Sequence, residues 1–276
     1  MALVICDDTD VPQALALSDA AHWNQVADDW RVFIRDGHTL GLRSAGGPLV
    51  ATAAALPYGA HRGWVSMVLV AASWRHQGLA SRLLSAGVAH LRQRGATPCL
   101  DATPAGAPTY QKAGFRTGFG LARWEGQGAA THPTLTPPVR RADAVDLPRM
   151  VALDGAANGM QRQFLLHDIL ARKGTRAWIT TNGDGFVISR LGRRATQLGP
   201  LVARNEHDAA ALLLAALDQT GGPVFLDLPD RWQMLSELLT RRGFVQQRPF
   251  VRMAMDGVDV QRANDRMFLL AGPEFG

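Results

Sequence analysis

Cysteine and lysine are the scarce residues of this chain. Its 276 residues include two cysteines, Cys6 and Cys99. Both fall in strand-like apolar runs with no partner at metal-ligand or redox spacing, which argues against a disulfide framework or a metal site and fits a reducing cytoplasm. Lysine occurs only as Lys112 and Lys173, so nearly all of the 29 basic residues are arginine. The densest basic clusters are the dipeptides Arg140-Arg141, Arg193-Arg194 and Arg241-Arg242. They lack interleaved aromatic residues for base stacking, and a nucleic-acid partner is not expected. No apolar run reaches the roughly 18 residues that a membrane span needs, and no basic segment followed by an apolar one opens the sequence. A soluble, unexported protein without a membrane partner is expected.

Hydrophobic residues make up 47% and charged residues 19% of the sequence, the balance of an ordinary globular chain. The length suits two domains, each able to bury its own core. A net charge of +5 sets up a modest positive field that favours polyanionic ligands. The sharpest break in composition is GQGAATHPTLTPP, ending at residue 138, rich in Gly, Pro and Thr and free of charge. It predicts domains at 1–126 and 139–276 joined by a linker at 127–138.

In the first half the pattern predicts a strand near 2–6, helices near 12–21 and 24–35, and a hairpin across SAGG at 44–47. GWVSMVLVA at 63–71 reads as a strand buried on both faces. It runs into RHQGLA, after which Leu79, Leu83, Leu84, Val88 and Leu91 recur at helical spacing until Gly95. A strand at 97–103, a short helix at 105–113 and a strand at 115–124 follow. The second half repeats this order, with helices near 143–156 and 161–173, a hairpin across NGDG and strands near 195–203 and 223–228. Helices near 206–219 and 231–241 complete it, the latter ending in RRGF as the first half's short helix ends in KAGF. A degenerate internal duplication follows from this.

The strand-to-helix turn Arg75-His76-Gln77-Gly78-Leu79-Ala80 carries the chemistry. A helix N-terminus there presents unpaired N–H groups and the positive end of a dipole, which suit a pyrophosphate. Gly78 and Ala80 leave room for an anion to approach the backbone, and Arg75 adds a positive charge. A glycine at such a turn is also ordinary structure. The second motif, YQKAGF at 110–115, decides between the two.

Together these motifs resemble the GNAT superfamily: Arg or Gln, two residues, Gly, one residue, Gly or Ala, and then a Tyr followed by three residues and Gly-Phe. The resemblance covers residues 1 to about 125 and, more faintly, the second half, and the whole chain is similar to bacterial tandem GNAT proteins. It implies an α/β (α+β) fold of two tandem GNAT-like domains, each a mixed, mostly antiparallel central sheet flanked by helices. It implies acetyl-CoA as co-substrate, without a metal. Its pyrophosphate would lie on the amides around Gln77, Gly78, Leu79 and Ala80, with Arg75, His76 and Ser81 also in the cofactor site. Its pantetheine arm would lie between splayed strands, against Met67, Val68, Leu69 and Val70 on one side and Thr103 on the other. Tyr110 takes the family's general-acid position, where a phenol protonates the departing thiolate.

The resemblance also places the amine acceptor on the first two helices and their loop, at Trp23, Asn24, Gln25 and Trp30, with Ser66 the polar side chain of the central strand. Asp28 and Asp29 would receive a cationic amine. Ordinary amphipathic packing accounts for this cluster equally well, with Trp23 and Trp30 on one helical face. The strand at 64–71 has no Glu or Asp to act as general base. Strand alternation leaves the direction of Asp101 open, an acid at a strand end more often bonds neighbouring backbone, and a water relay or an amine deprotonated by a desolvated site would serve equally. In the second half Leu239 stands where Tyr110 does, and Arg204-Asn205-Glu206-His207-Asp208 replaces the glycine turn. That half is expected to lack productive acetyl-CoA binding and to complete the acceptor pocket, stabilise the first half or mediate a homodimer. The closing AGPEFG shows no chemistry. The expected function is acetyl-CoA-dependent N-acetylation of a primary amine of a small molecule. The alternative is a non-catalytic acyl-CoA-binding sensor or regulatory protein, and a protein acceptor would require an open groove.

Overall fold

The computed structural model describes residues 1–129, 131, 138–255 and 265–276. In chain order the first half forms β1 (Ala2–Ile5), α1 (Val11–Ala20), α2 (Ala27–Arg35), β2 (His38–Arg43), β3 (Leu49–Tyr58) and β4 (Arg62–Val70). It continues through α3 (Leu79–Gln93), β5 (Thr97–Ala102), α4 (Ala107–Lys112) and β6 (Arg116–Ala129). The second half forms β7 (Val139–Arg141), α5 (Leu147–Asn158), α6 (Gln163–Ala171), β8 (Arg176–Thr180), β9 (Phe186–Arg190) and β10 (Thr196–Val202). After these come α7 (Glu206–Asp218), β11 (Gly221–Pro229), α8 (Gln233–Arg241), β12 (Val245–Ala254) and β13 (Met267–Leu269). Among the described residues, no helix is long and apolar enough to cross a membrane.

Both halves enter their first helix by the same local device. Asp7 and Asp10 form a capping box ahead of α1, and Asp143 and Asp146 form one ahead of α5, each followed by a proline in the first helical turn. Proline suits that position because its missing N–H would have no intrahelical acceptor. The duplication is therefore written in Asp-x-x-Asp-(Val/Leu)-Pro as well as in the Gly-Phe dipeptides.

The halves do not keep separate sheets. One continuous sheet runs in the order β1-β2-β3-β4-β5-β12-β6-β11-β10-β9-β8-β7, with β13 paired to β10 off this path. The order is a pseudo-two-fold in which β6 of the first half and β12 of the second have changed sides. β12 lies against β5, with Arg252 opposite Asp101 and Met253 opposite Leu100. β6 lies against β11, from Leu121 opposite Pro229 to Ala129 opposite Gly221. Each half's sheet remains mostly antiparallel, but it is completed by a strand of the other half. The linker expected at 127–138 accordingly starts inside β6, whose residues 127–129 pair with 221–223, and the rest of it lies largely outside the described residues.

Packing reinforces the exchange. Val11, Trp30 and Phe33 from α1 and α2 share one hydrophobic cluster with Met150, Leu153, Leu165 and Ile169 from α5 and α6. Along β3, Ala54, Leu56 and Tyr58 enter this shared cluster, whereas Ala51, Ala53 and Ala55 enter those of α3. The strand is thus covered on both faces, as its unbroken apolar run requires. α3 buries Leu79, Leu83, Leu84, Val88 and Leu91, the stripe read from the sequence.

Candidate active site

The turn before α3 is built for an anion. Gly78 is the N-cap, in a left-handed conformation (φ 74°), and His76 is left-handed as well (φ 63°). The first amide to find an acceptor within the helix is that of Arg82, which donates to the Gly78 carbonyl at 3.0 Å. No side chain caps the terminus and no acid lies in its first turn. The N–H groups ahead of Arg82 remain available to a ligand, at the positive end of a 15-residue helix. A Cβ at Gly78 would meet no atom within 4 Å. The glycine is required by its positive φ, and the space beside it is open. Arg75 donates to the Val70 carbonyl (3.3 Å), which ties its guanidinium to the end of β4.

From this turn a gap opens between β4 and β5. The two strands pair in parallel only at Arg62 with Thr97, Gly63 with Pro98 and Trp64 with Cys99. Beyond these residues they diverge. β4 also bulges, its register against β3 shifting between Thr52 and Ala54, where Met67 has a φ of 53° and its carbonyl accepts the Thr52 hydroxyl at 2.9 Å. The gap is a cavity of about 520 Å³ with Val65 to Val70 along one side and Leu100, Asp101 and Thr103 along the other. Arg75 and Ala80 border it at the turn, and Gly106, Thr109 and Tyr110 approach from α4. Ala21, Trp23 and Gln25 line it from the loop before α2.

Sequence reasoning therefore identified much of the wall. Trp23, Gln25, Ser66, Met67, Val68, Leu69, Val70, Arg75, Ala80, Thr103 and Tyr110 border the cavity. Thr103 has a structural task as well, because its hydroxyl accepts the Gly106 amide at 3.2 Å at the start of α4. His76, Gln77, Gly78 and Ser81 form the exposed turn outside the wall, and Leu79 points into the core with Leu40, Leu42 and Leu83.

Two expected acceptor residues lie elsewhere. Trp30 is fully buried, its indole N–H donating to Ser18 at 3.2 Å. Asn24 clamps the second half, donating to the Ala195 carbonyl and accepting the Arg194 and Ala195 amides. Asp28 pairs with exposed Arg31. Asp29 pairs with Arg172 at 2.6 Å while accepting the Val26 amide, so neither acid faces the cavity. Of the four loop and helix residues expected at the acceptor, Trp23 and Gln25 border the cavity.

Tyr110 packs edge-on against Phe115, ring centroids 6.0 Å apart. Burial alone raises its pKa, which keeps the phenol protonated at neutral pH. Asp101 does not bond neighbouring backbone as expected. Its carboxylate is buried in a two-point fork with Arg252, both contacts 2.9 Å. Burial pushes its pKa up, with Arg252 opposing.

A carboxylate reaches the cavity from the other end of the chain. Glu274 lines the cavity, is itself buried, and accepts Arg190 Nη2 at 2.6 Å. Burial chiefly raises its pKa, Arg190 and Arg123 pull it down, and Asp29 and Asp227 push it up. Its segment is fixed by long-range hydrogen bonds: Trp64 Nε1 to the Pro273 carbonyl (2.9 Å), the Tyr58 hydroxyl to the Phe275 carbonyl (2.8 Å) and Arg190 to the Ala271 carbonyl (2.6 Å). Phe275 stacks on Phe33 at 4.9 Å. The exchanged strands add Arg123 from β6 and Arg248 and Phe250 from β12 to the same wall. Sequence reasoning missed all four of these residues. The one local signal was a lone acid within the apolar AGPEFG.

The corresponding region of the second half is closed. β10 and β11 also pair in parallel over three residues, 196–198 with 224–226. Past that point β13 pairs with β10, Leu201 opposite Leu269. Leu270 then donates to the Asp227 carbonyl at 3.1 Å, and a Cβ at Gly199 would collide with the Leu270 carbonyl. At the N-terminus of α7 the Asn205 side chain accepts the Asp208 amide at 2.9 Å, with Glu206 and Asp208 in the first turn.

Comparison with known proteins agrees with this architecture in both halves. Residues 8–115 match the model of the acetyltransferase (GNAT) family, and residues 150–269 match a second acetyltransferase (GNAT) domain model. This chain is a tandem GNAT N-acetyltransferase. Among GNAT relatives, an uncharacterized N-acetyltransferase of Bacillus subtilis, YitH, is 24% identical over 254 residues, covering 88% of this chain and 87% of that protein. A putative acetyltransferase of Pyrococcus horikoshii has the same fold, with a TM-score of 0.84 at 18% identity over 100% of this chain and 95% of the other. A tandem GNAT protein from the clavulanic acid biosynthesis pathway superposes with a TM-score of 0.65 at 17% identity, covering 92% of this chain and 97% of that one. GNAT enzymes use acetyl-CoA, and the uncapped turn and the open gap between β4 and β5 fit such a molecule.

Proposed function

We propose that the first half transfers an acetyl group from acetyl-CoA to a primary amine of a small molecule in the cytoplasm, and that the second half binds no cofactor and completes the acceptor pocket. The observation that carries this reading is the uncapped N-terminus of α3 opening directly onto the gap between β4 and β5. Bound there, acetyl-CoA supplies an activated acetyl thioester. The amides of residues 76–81 and the Arg75 guanidinium hold its pyrophosphate, and residues 65–70 and 100–103 flank its arm.

Glu274 takes the proton of the amine as the nitrogen attacks the thioester carbonyl. Its raised pKa makes it a better base than an ordinary carboxylate. Tyr110 gives its proton to the sulfur as the C–S bond breaks, leaving the amide and the free thiol. Thermal stability with and without acetyl-CoA, together with thiol release in an amine screen, tests the reading. At about 100 times the dissociation constant, acetyl-CoA stabilises the fold by roughly 2.7 kcal/mol. Tyr110→Phe keeps that shift and slows thiol release about 100-fold. A thermal shift without turnover of any amine would instead favour a sensor, and no shift at all would remove the cofactor.

A further inference from the structure

Charge balance on the cavity wall points to the class of acceptor. Asp101 is answered by Arg252, Arg123 by Asp227 and Glu274 by Arg190, each pair within hydrogen-bond distance. Arg75 belongs to the anion-binding turn. That leaves Arg248, half-buried on β12 over the ring of Phe250, with no carboxylate in ion-pair range among the described residues. Burial and the like charge of Arg123 disfavour its charged form, and Asp227 favours it. Two further groups on the same wall await a partner. Gln25 Oε1 and Ser66 Oγ are buried without a hydrogen bond, in residues only 4% and 8% exposed. A buried acceptor or cation left alone is costly, so a ligand that answers all three gains what the free protein lacks.

We infer that the acceptor is a small amino acid-like molecule, an amine that also carries a carboxylate, with the carboxylate paired to Arg248 while the amine faces Glu274. Gln25 and Ser66 complete its hydrogen bonds. A simple monoamine leaves Arg248 unanswered, and a diamine adds a second cation to a wall that already has one in excess. A guanidinium fork matches a carboxylate at two points and orients the amine toward the thioester. This inference rests on the acetyl-transfer reading above.

The test is thiol release from acetyl-CoA with a panel of α-amino acids, β-alanine and γ-aminobutyrate, each beside its carboxamide, and with diamines. At least one amino-carboxylate is expected to exceed its amide by about 100-fold in kcat/KM. Arg248→Gln should remove that preference through KM, Arg248→Lys should restore part of it, and both should keep the acetyl-CoA thermal shift. Amides or diamines used equally well, a preference that survives Arg248→Gln, or a retained shift with no amino-carboxylate acetylated would each overturn it. Absence of the shift in the unmodified chain would overturn the acetyl-transfer reading itself.

Discussion

The N-termini of α3 and α7 occupy matching places in the two halves and have opposite chemistry. α3 begins at a left-handed glycine with no side-chain cap and no acid, facing a gap between parallel strands. α7 begins at Asn205, which satisfies an amide with its own side chain, and carries Glu206 and Asp208 in the first turn. An anion is attracted to the first and repelled from the second. The strand gaps differ in the same sense, one open and the other filled by β13 and Leu270. The segment that fills the second gap continues into the first half and brings Glu274 to the open cavity. Closing one site and completing the other are two ends of a single stretch of chain.

Cutting the chain between the halves breaks this comparison most severely. A fragment of residues 1–138 loses β12 from the edge of β5 and loses Glu274 with its segment. It is expected to lack a cooperative thermal transition and acetyl-CoA binding. Co-expression with 139–276 should restore both, and a 1–138 fragment that folds and binds alone would refute the strand exchange.

Next in size is Glu274→Gln, expected to lower kcat about 1,000-fold with acetyl-CoA affinity kept. The base role proposed for Glu274 requires it ionised, and its pKa is raised by burial. Activity should therefore fall with decreasing pH through a value above the ordinary glutamate range of about 4.3, and Glu274→Gln should abolish that limb of the pH profile. A limb that persists in the variant assigns it to another group.

The smallest effect sharpens the contrast from the other side. Asn205→Ala removes the cap of α7 and should cost about 1 kcal/mol, or roughly 2–4 °C in Tm. It should create no second acetyl-CoA site, since β13 still fills the gap.

What the sequence disclosed follows the same division. The glycine turn, the stripe of α3 and YQKAGF were legible because each is local, a few residues whose spacing is set by one helix or turn. Asp7, Asp10, Asp143 and Asp146 were equally local and would have strengthened the duplication. Arg123, Arg248 and Phe250 reach the cavity because β6 and β12 changed sides, and Glu274 because the segment after β13 crosses to the first half; nothing in a strand's alternation names its neighbour. In the loop before α2, adjacent residues split between the cavity and the core. Gln25 faces the ligand space while Asn24 holds the second half, a choice made by tertiary packing alone.

The most direct test of a single cofactor site is the stoichiometry of acetyl-CoA binding by titration calorimetry, for the intact chain and for Ala80→Asp. Aspartate in the first turn suits helix α3 and keeps the fold, but sets a carboxylate among the amides that would hold the pyrophosphate. Substitution at Gly78 would confound this by straining a left-handed residue. The account predicts one acetyl-CoA per chain and none for Ala80→Asp; two per chain, or undiminished binding by the variant, would contradict it.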